Sequence, residues 1–103
     1  MRPVIVCLCG STRFAHIFHE ENMRETLKGR IVLSIGVNVS MVPVDEETKD
    51  MLDELHLRKI DLADEILVLN VGGYIGNSTR REIEHAMKRG KGVRYYEPLQ
   101  PNP

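Results

Sequence analysis

Glu82 is the carboxylate of this chain whose neighbours best suit covalent chemistry. It follows a glycine-rich loop, residues 71–76, that connects the short apolar run 66–69 to a helical segment. Four positions away on either side lie Ser78 and Ala86, so no basic side chain at that helical spacing pairs with it. An unpaired carboxylate beside a flexible loop can attack an electrophilic carbon and form a covalent intermediate. Glu82 is therefore a candidate nucleophile.

A purely structural role for Glu82 is also open. Residues 79–82 read Thr-Arg-Arg-Glu, which fits a capping box that begins a helix at Thr79 and ties the glutamate to backbone N–H groups. Both interpretations place Glu82 in the first helical turn. There the helix dipole favours an ionised carboxylate.

The two cysteines are the next candidates, because Cys7 and Cys9 lie two residues apart in an apolar run. On an extended strand they share a face, and bonding them to each other would distort the strand, so reduced thiols are expected. A metal site would need two further ligands. His16, His19 and Glu20 have metal-like spacing, but they belong to a polar helix face. The sequence therefore predicts no metal and no other cofactor.

These residues are positioned by alternating strands and helices. Strands are predicted at 3–9, 31–35, 66–69 and 92–96, and helices from Ser11 or Thr12 to about Lys28, from 45 to 62, and from Thr79 to 90. This order predicts a single α/β domain over residues 1–97. It is a Rossmann-like or flavodoxin-like three-layer sandwich with a parallel sheet in the order 2-1-3-4. The loops after the first and third strands then meet at one edge of the sheet, where such folds bind ligands.

The predicted second helix has two apolar sides. Met51, Leu55 and Leu62 form one stripe, taken as the inward face, whereas Leu57 and Ile60 lie nearly opposite. Either the helix breaks near residue 56, or its second side packs against another subunit. A homodimer or larger homo-oligomer is therefore expected.

Two segments fall outside the regular pattern. The connection 36–44 contains Gly36 and Pro43, and it is interpreted either as a lid over the ligand edge or as a structural connection. Residues 98–103 include three prolines and predict an extended or disordered tail.

Composition limits the partners. The chain has 103 residues and a net charge of −1 with both signs interspersed, which gives no electrostatic reason to expect nucleic acid or an anionic membrane. The longest apolar run, residues 4–9, is far shorter than the roughly 20 residues of a membrane span. No signal-peptide pattern precedes it, so a cytoplasmic protein is expected.

Three segments resemble the nucleoside 2-deoxyribosyltransferase superfamily, including its small nucleotide N-glycosidase branch. They read Leu-Cys-Gly-Ser-Thr-Arg at 8–13, Lys-Ile-Asp-Leu-Ala-Asp at 59–64, and Ser-Thr-Arg-Arg-Glu-Ile-Glu-His-Ala at 78–86. The resemblance spans nearly the whole chain. In these enzymes the glutamate of a Glu-Ile/Leu-x-x-Ala segment is the nucleophile, and that position is Glu82.

The resemblance implies a small-molecule partner, a nucleoside or nucleoside 5′-monophosphate, and a set of substrate-binding positions. The Gly-Ser-x-Arg loop and the loop before Glu82 would hold a 5′-phosphate or sugar hydroxyls, and Tyr74 would stack on the base. Two further positions, His56 and Gly76, align with substrate-binding acids of the transferases. The full set is Gly10, Ser11, Arg13, His56, Tyr74, Gly76, Asn77 and Ser78.

The differences from the transferases narrow the expected reaction. Gly76 and His56 replace two acids, and Leu8 replaces the aromatic residue that faces the base. Hydrolysis of the N-glycosidic bond therefore fits this chain better than base exchange. The alternative is a nucleotide-binding or sensing module of the same fold without turnover.

Overall fold

The computed structural model describes residues 2–36 and 42–100, which alternate between strands and helices. Two 3₁₀ turns of three residues each, Thr12–Phe14 and Val71–Gly73, interrupt this alternation. The strands are β1 (Ile5–Cys9), β2 (Ile31–Leu33), β3 (Glu65–Val68) and β4 (Gly92–Tyr95). The helices are α1 (Ala15–Leu27), α2 (Glu46–Leu62) and α3 (Asn77–Lys88).

The four strands form one parallel sheet in the order β2-β1-β3-β4. This confirms the predicted fold class and strand order. β1 is central, with Cys7 paired to Leu33 on one side and to Ile66 on the other. Among the described residues, no helix is long and apolar enough to cross a membrane.

The core lies in two layers because alternate strand residues point to opposite faces of the sheet. Val6 and Leu8 pack with Phe18 of α1 on one face. Cys7 and Cys9 pack with Ile60 of α2 on the other, a layer that also includes Ala86 of α3. The two cysteines are free thiols, as predicted, and both are fully buried.

The predicted inward face of α2 is wrong. Met51, Leu55 and Leu62 remain 53%, 47% and 69% exposed, whereas Leu57 and Ile60 pack into the core. The helix runs unbroken through position 56. Both apolar stripes have helical spacing, so periodicity alone could not decide which of them faces the sheet.

The predicted start of α3 is also wrong. The helix begins at Asn77 with Gly76 as its N-cap, no side chain caps it, and Thr79 is buried. Glu82 therefore lies in the second turn and forms no capping box. At this depth the helix dipole gives a carboxylate little support, because its effect fades beyond the first turn.

The polar face of α1 is less solvated than expected. Glu21 and Glu25 are 5% and 1% exposed, while the apolar Leu27 at the end of the helix is 78% exposed. Glu25 is bound by Arg30 and by Arg94 of β4. A buried ion-pair network thus joins α1 to the sheet.

The two irregular segments are only partly described. Most of the connection 36–44 lies outside the described residues, so the lid interpretation stays a prediction. Within the predicted tail, residues 98–100 have no helix or strand and are exposed. The remainder, residues 101–103, lies outside the described part.

Candidate functional site

The candidate site lies where α2 and α3 meet the carboxyl-terminal half of β1. An open pocket of about 160 Å³ lies between the two helices. Glu82 and Ser78 line it from α3, one helical turn apart. Most of the opposite wall comes from α2, and the full lining is Asp50, Asp53, Glu54, Leu57, Ser78, Arg81 and Glu82.

The Glu82 carboxylate is not tied to its own backbone. Among the described residues, its Oε1 atom is buried and has no hydrogen-bond partner. The nearest cationic group is His56, whose Nε2 lies 3.9 Å from Oε1, beyond hydrogen-bond distance. Burial raises the pKa of Glu82 to about 7, although the charge of His56 opposes the shift.

His56 also contacts both cysteines of β1. Its Nε2 lies 3.6 Å from Sγ of Cys7 and 3.5 Å from Sγ of Cys9. Burial disfavours the charged imidazole, but the hydrogen bond to Cys7 and the charges of Cys7 and Glu82 outweigh it and raise the pKa of His56. Two thiols, an imidazole and a carboxylate therefore converge in one buried cluster.

The two thiols differ in acidity because they interact with each other. A hydrogen bond between them lowers the pKa of Cys7 to about 6, and the same bond raises the pKa of Cys9. Thiolate character thus concentrates on Cys7, next to the imidazole.

A second group of predicted residues lies at the edge of the sheet, around Tyr74. The Arg13 guanidinium lies 4.2 Å from the centre of the Tyr74 ring, and its Nη2 lies 3.4 Å from the phenol oxygen. Phe14 contacts the same ring edge-on. A Cβ atom at Gly76 would lie only 3.1 Å from that phenol oxygen. The loops after β1 and β3 are therefore joined by an aromatic contact, and Arg13 covers a face of the ring that was predicted to stack on a base.

The remaining predicted positions are mainly structural in this chain. Ser11 caps a short 3₁₀ turn, Thr12–Phe14, by accepting the backbone N–H of Arg13. At Gly10, a Cβ atom would come within 3.2 Å of Leu69, so glycine allows the ends of β1 and β3 to pack closely. Asn77 is exposed at the first position of α3.

The glycine loop itself is partly engaged. Gly72 has a positive φ of 64°, and its N–H donates to the carboxylate of Glu97. Asn70, two residues after the end of β3, makes two hydrogen bonds with the backbone of Glu97. Its Nδ2 donates to the carbonyl oxygen, and its Oδ1 accepts from the N–H. The Gly72 amide is therefore bonded within the chain, which weakens the prediction that this loop binds a ligand directly.

The structure thus divides the predicted residues. Glu82 and Ser78 line the pocket between α2 and α3, and His56 is buried next to Glu82. Ser11, Arg13, Tyr74 and Gly76 belong instead to the loops at the sheet edge. Sequence reasoning missed the acidic wall of α2, Asp50, Asp53 and Glu54. The sequence shows that these residues share one side of a helix. That this side borders the pocket depends on the orientation of α2 in the fold.

The comparisons with known proteins add no relative. Neither the family models nor the curated proteins that were searched give a match to this chain.

Proposed function

We propose that this protein hydrolyses the N-glycosidic bond of a nucleoside or nucleoside 5′-monophosphate, with Glu82 as the nucleophile. The observation that carries the proposal is the free Oε1 atom of Glu82 on a helix that lines an open pocket. A capping role would have occupied this carboxylate with the amides at the start of the helix. Glu82 begins no turn and binds no such amide, so its carboxylate is not committed to a cap.

The reaction would proceed in two displacements. A Glu82 oxygen attacks the anomeric carbon, and the bond to the base nitrogen breaks, with its electron pair leaving on the base, which takes up a proton. Water then attacks the same carbon, releases the carboxylate and leaves a hydroxyl group on the sugar. The proton that the water loses balances the one that the base took up. Two inversions give net retention at the anomeric centre.

The size and charge of the pocket favour a sugar next to Glu82. The pocket volume of about 160 Å³ is well below the roughly 300–1,000 Å³ of pockets that bind drug-sized ligands. Carboxylates on α2 and the Ser78 hydroxyl can bind sugar hydroxyls. The carboxylates of the lining outnumber its one cation, Arg81, so the pocket disfavours a phosphate. We therefore infer that the 5′-phosphate of a nucleotide substrate binds at the sheet edge, next to Arg13 and Tyr74.

The test is to incubate the protein with a panel of nucleosides and 5′-monophosphates and to measure the release of free base by chromatography. Glu82→Ala should lower kcat at least about a thousandfold, because it removes the group that forms the covalent intermediate. Glu84→Ala is the matched control, since Glu84 is exposed on the same helix. Added azide should partly restore base release in Glu82→Ala by acting as an external nucleophile and yield a glycosyl azide.

Two outcomes would contradict the proposal. Turnover that survives Glu82→Ala unchanged would exclude this nucleophile. Ligands that raise the melting temperature without being consumed would instead favour a binding or sensing module, since binding to the native state alone is sufficient to stabilise it.

A further inference from the structure

The cluster behind the Glu82 carboxylate contains a set of ligands that sequence spacing did not reveal. Cys7, Cys9 and His56 place their Sγ and Nε2 atoms within 4.8 Å of one another. The side chains come from the central strand and from α2, and all three residues are buried. His56 is 47 residues from the nearer cysteine in the sequence, so only the fold brings this third candidate ligand to them.

The distances match those around a tetrahedral ion. Zinc–sulfur bonds of about 2.3 Å and zinc–nitrogen bonds of about 2.0–2.1 Å at the tetrahedral angle separate sulfur from nitrogen by about 3.6 Å. The two observed separations between His56 and the thiols are 3.6 and 3.5 Å. One ion between the imidazole and either thiol would therefore need little rearrangement, and the two sulfurs lie within 4.8 Å of each other.

A fourth ligand is close. The carboxylate oxygen of Glu82 lies 3.9 Å from Nε2 of His56. In a tetrahedral zinc site the separation between these nitrogen and oxygen ligands is about 3.4 Å. Closing the site therefore needs a shift of about half an ångström. The same oxygen has no other hydrogen-bond partner among the described residues.

We propose that Cys7, Cys9 and His56, completed by Glu82, form a binding site for one thiophilic divalent cation, with Zn²⁺ as the best match. Two thiolates and an imidazole select zinc over Mg²⁺ and Ca²⁺, which prefer oxygen ligands. The ion displaces the thiol protons, and both sulfurs bind as thiolates. Because Glu82 also lines the pocket between α2 and α3, that pocket is the route by which the ion would enter.

Metal binding has a consequence for the proposed hydrolysis, and this consequence alone rests on the proposed function. An ion held by Glu82 occupies the oxygen that would attack the sugar. Zinc and substrate therefore compete for one carboxylate, and zinc should inhibit base release. The binding measurements below need no substrate, so the two proposals can fail separately.

The test uses the full chain without an affinity tag, reduced and stripped with a chelator. Titration with Co²⁺ should saturate at one ion per chain. It should give the near-ultraviolet absorption of a thiolate–cobalt bond and the visible bands of tetrahedral cobalt, and Zn²⁺ should displace both. Native mass spectrometry of the unaltered protein should then show one zinc per chain.

Variants locate the ligands. Cys7→Ser, Cys9→Ser and His56→Gln should each weaken zinc binding at least about a hundredfold, since changes to groups that merely support ligands already cost 10–100-fold. Glu82→Gln should weaken it less and keep the thiolate band. His19→Ala is the matched control, because His19 is exposed on α1. Circular dichroism of the metal-free variants checks their fold.

Either of two results would overturn the proposal. One is a cobalt spectrum of the unaltered protein without the thiolate band. The other is folded Cys7→Ser or Cys9→Ser protein that binds zinc as tightly as the unaltered chain.

Discussion

Nε2 of His56 lies 3.9 Å from Oε1 of Glu82, although the two residues are far apart in the sequence. The first belongs to α2 and the second to α3, and both point towards the cysteines of β1. Burial makes the pair costly for the fold, because the carboxylate oxygen has lost water without gaining a hydrogen bond from a described residue. A costly buried arrangement of this kind is a candidate functional site.

Replacing Glu82 with methionine should stabilise the metal-free protein. The change removes a buried, unpartnered oxygen, which costs about 1–3 kcal/mol, and keeps a side chain of similar length. We expect the free energy of unfolding to rise by about 1–2 kcal/mol in urea at pH 8 with a chelator present. Glu84→Met, on the exposed side of the same helix, should change it by less than about 0.5 kcal/mol. A loss of stability in Glu82→Met would mean that the carboxylate has a stabilising partner.

Glu25 should be essential to the fold. It is 1% exposed and accepts hydrogen bonds from Arg30 and Arg94. Glu25→Ala leaves Arg30 without this carboxylate and Arg94 with Glu65 alone, which should cost about 2–3 kcal/mol in urea unfolding. Among the described residues, the exposed Glu20 on the same helix pairs with His16 alone, so Glu20→Ala should cost less than about 1 kcal/mol. Equal effects of the two changes would contradict the importance of the buried network.

The order of strands was predictable because strands alternate with helices along the chain, and parallel crossovers are right-handed as a rule. The inward face of α2 was not, because two apolar stripes compete on it and only packing selects Leu57 and Ile60. The start of α3 was missed because Gly76 caps it without a side-chain signal.

The site was predictable in part. Glu82 was recognised because it lacks a basic partner at helical spacing. Its proximity to His56 and the cysteines could not be predicted, because it depends on how α2 is oriented in the tertiary structure. The helix dipole was expected to favour the ionised carboxylate, but burial in that cluster has the larger effect and raises the pKa of Glu82 to about 7.

The Arg2–Asp64 pair should make stability depend on pH in acid. Asp64 accepts hydrogen bonds from Arg2 and from the backbone N–H of Ile5, and these lower its pKa from 3.8 to about 2. A lowered native pKa stabilises the fold above the unfolded value, and this contribution is lost as the pH falls from about 4 to about 2. The difference in melting temperature between the protein and Asp64→Asn should therefore shrink over that interval. Arg2→Ala should show a weaker acid dependence, and a difference that stays constant to pH 2 would contradict the assignment.

The exposed stripe of α2 should mediate self-association. Met51, Leu55 and Leu62 stay about half or more exposed on one side of the helix, which is unusual for a monomer surface. We expect a homodimer in light scattering after size-exclusion chromatography, converted to a monomer by Leu55→Glu. Leu27→Glu is the control, because Leu27 is exposed on α1 outside this stripe. A monomer at all concentrations, or a dimer unaffected by Leu55→Glu, would contradict the prediction.

Arg13 should determine whether a 5′-phosphate improves binding. Its guanidinium lies on the Tyr74 ring at the sheet edge, and a planar guanidinium can bind a phosphate through two hydrogen bonds. Arg13→Ala should weaken binding of a purine 5′-monophosphate by about 10–100-fold in calorimetry, the equivalent of one charged hydrogen bond, and leave the nucleoside nearly unaffected. Arg58 pairs with Glu54 on the surface of α2, so Arg58→Ala is the charge-matched control. If both ligands weaken equally in Arg13→Ala, the arginine acts by supporting Tyr74, and the phosphate must bind elsewhere.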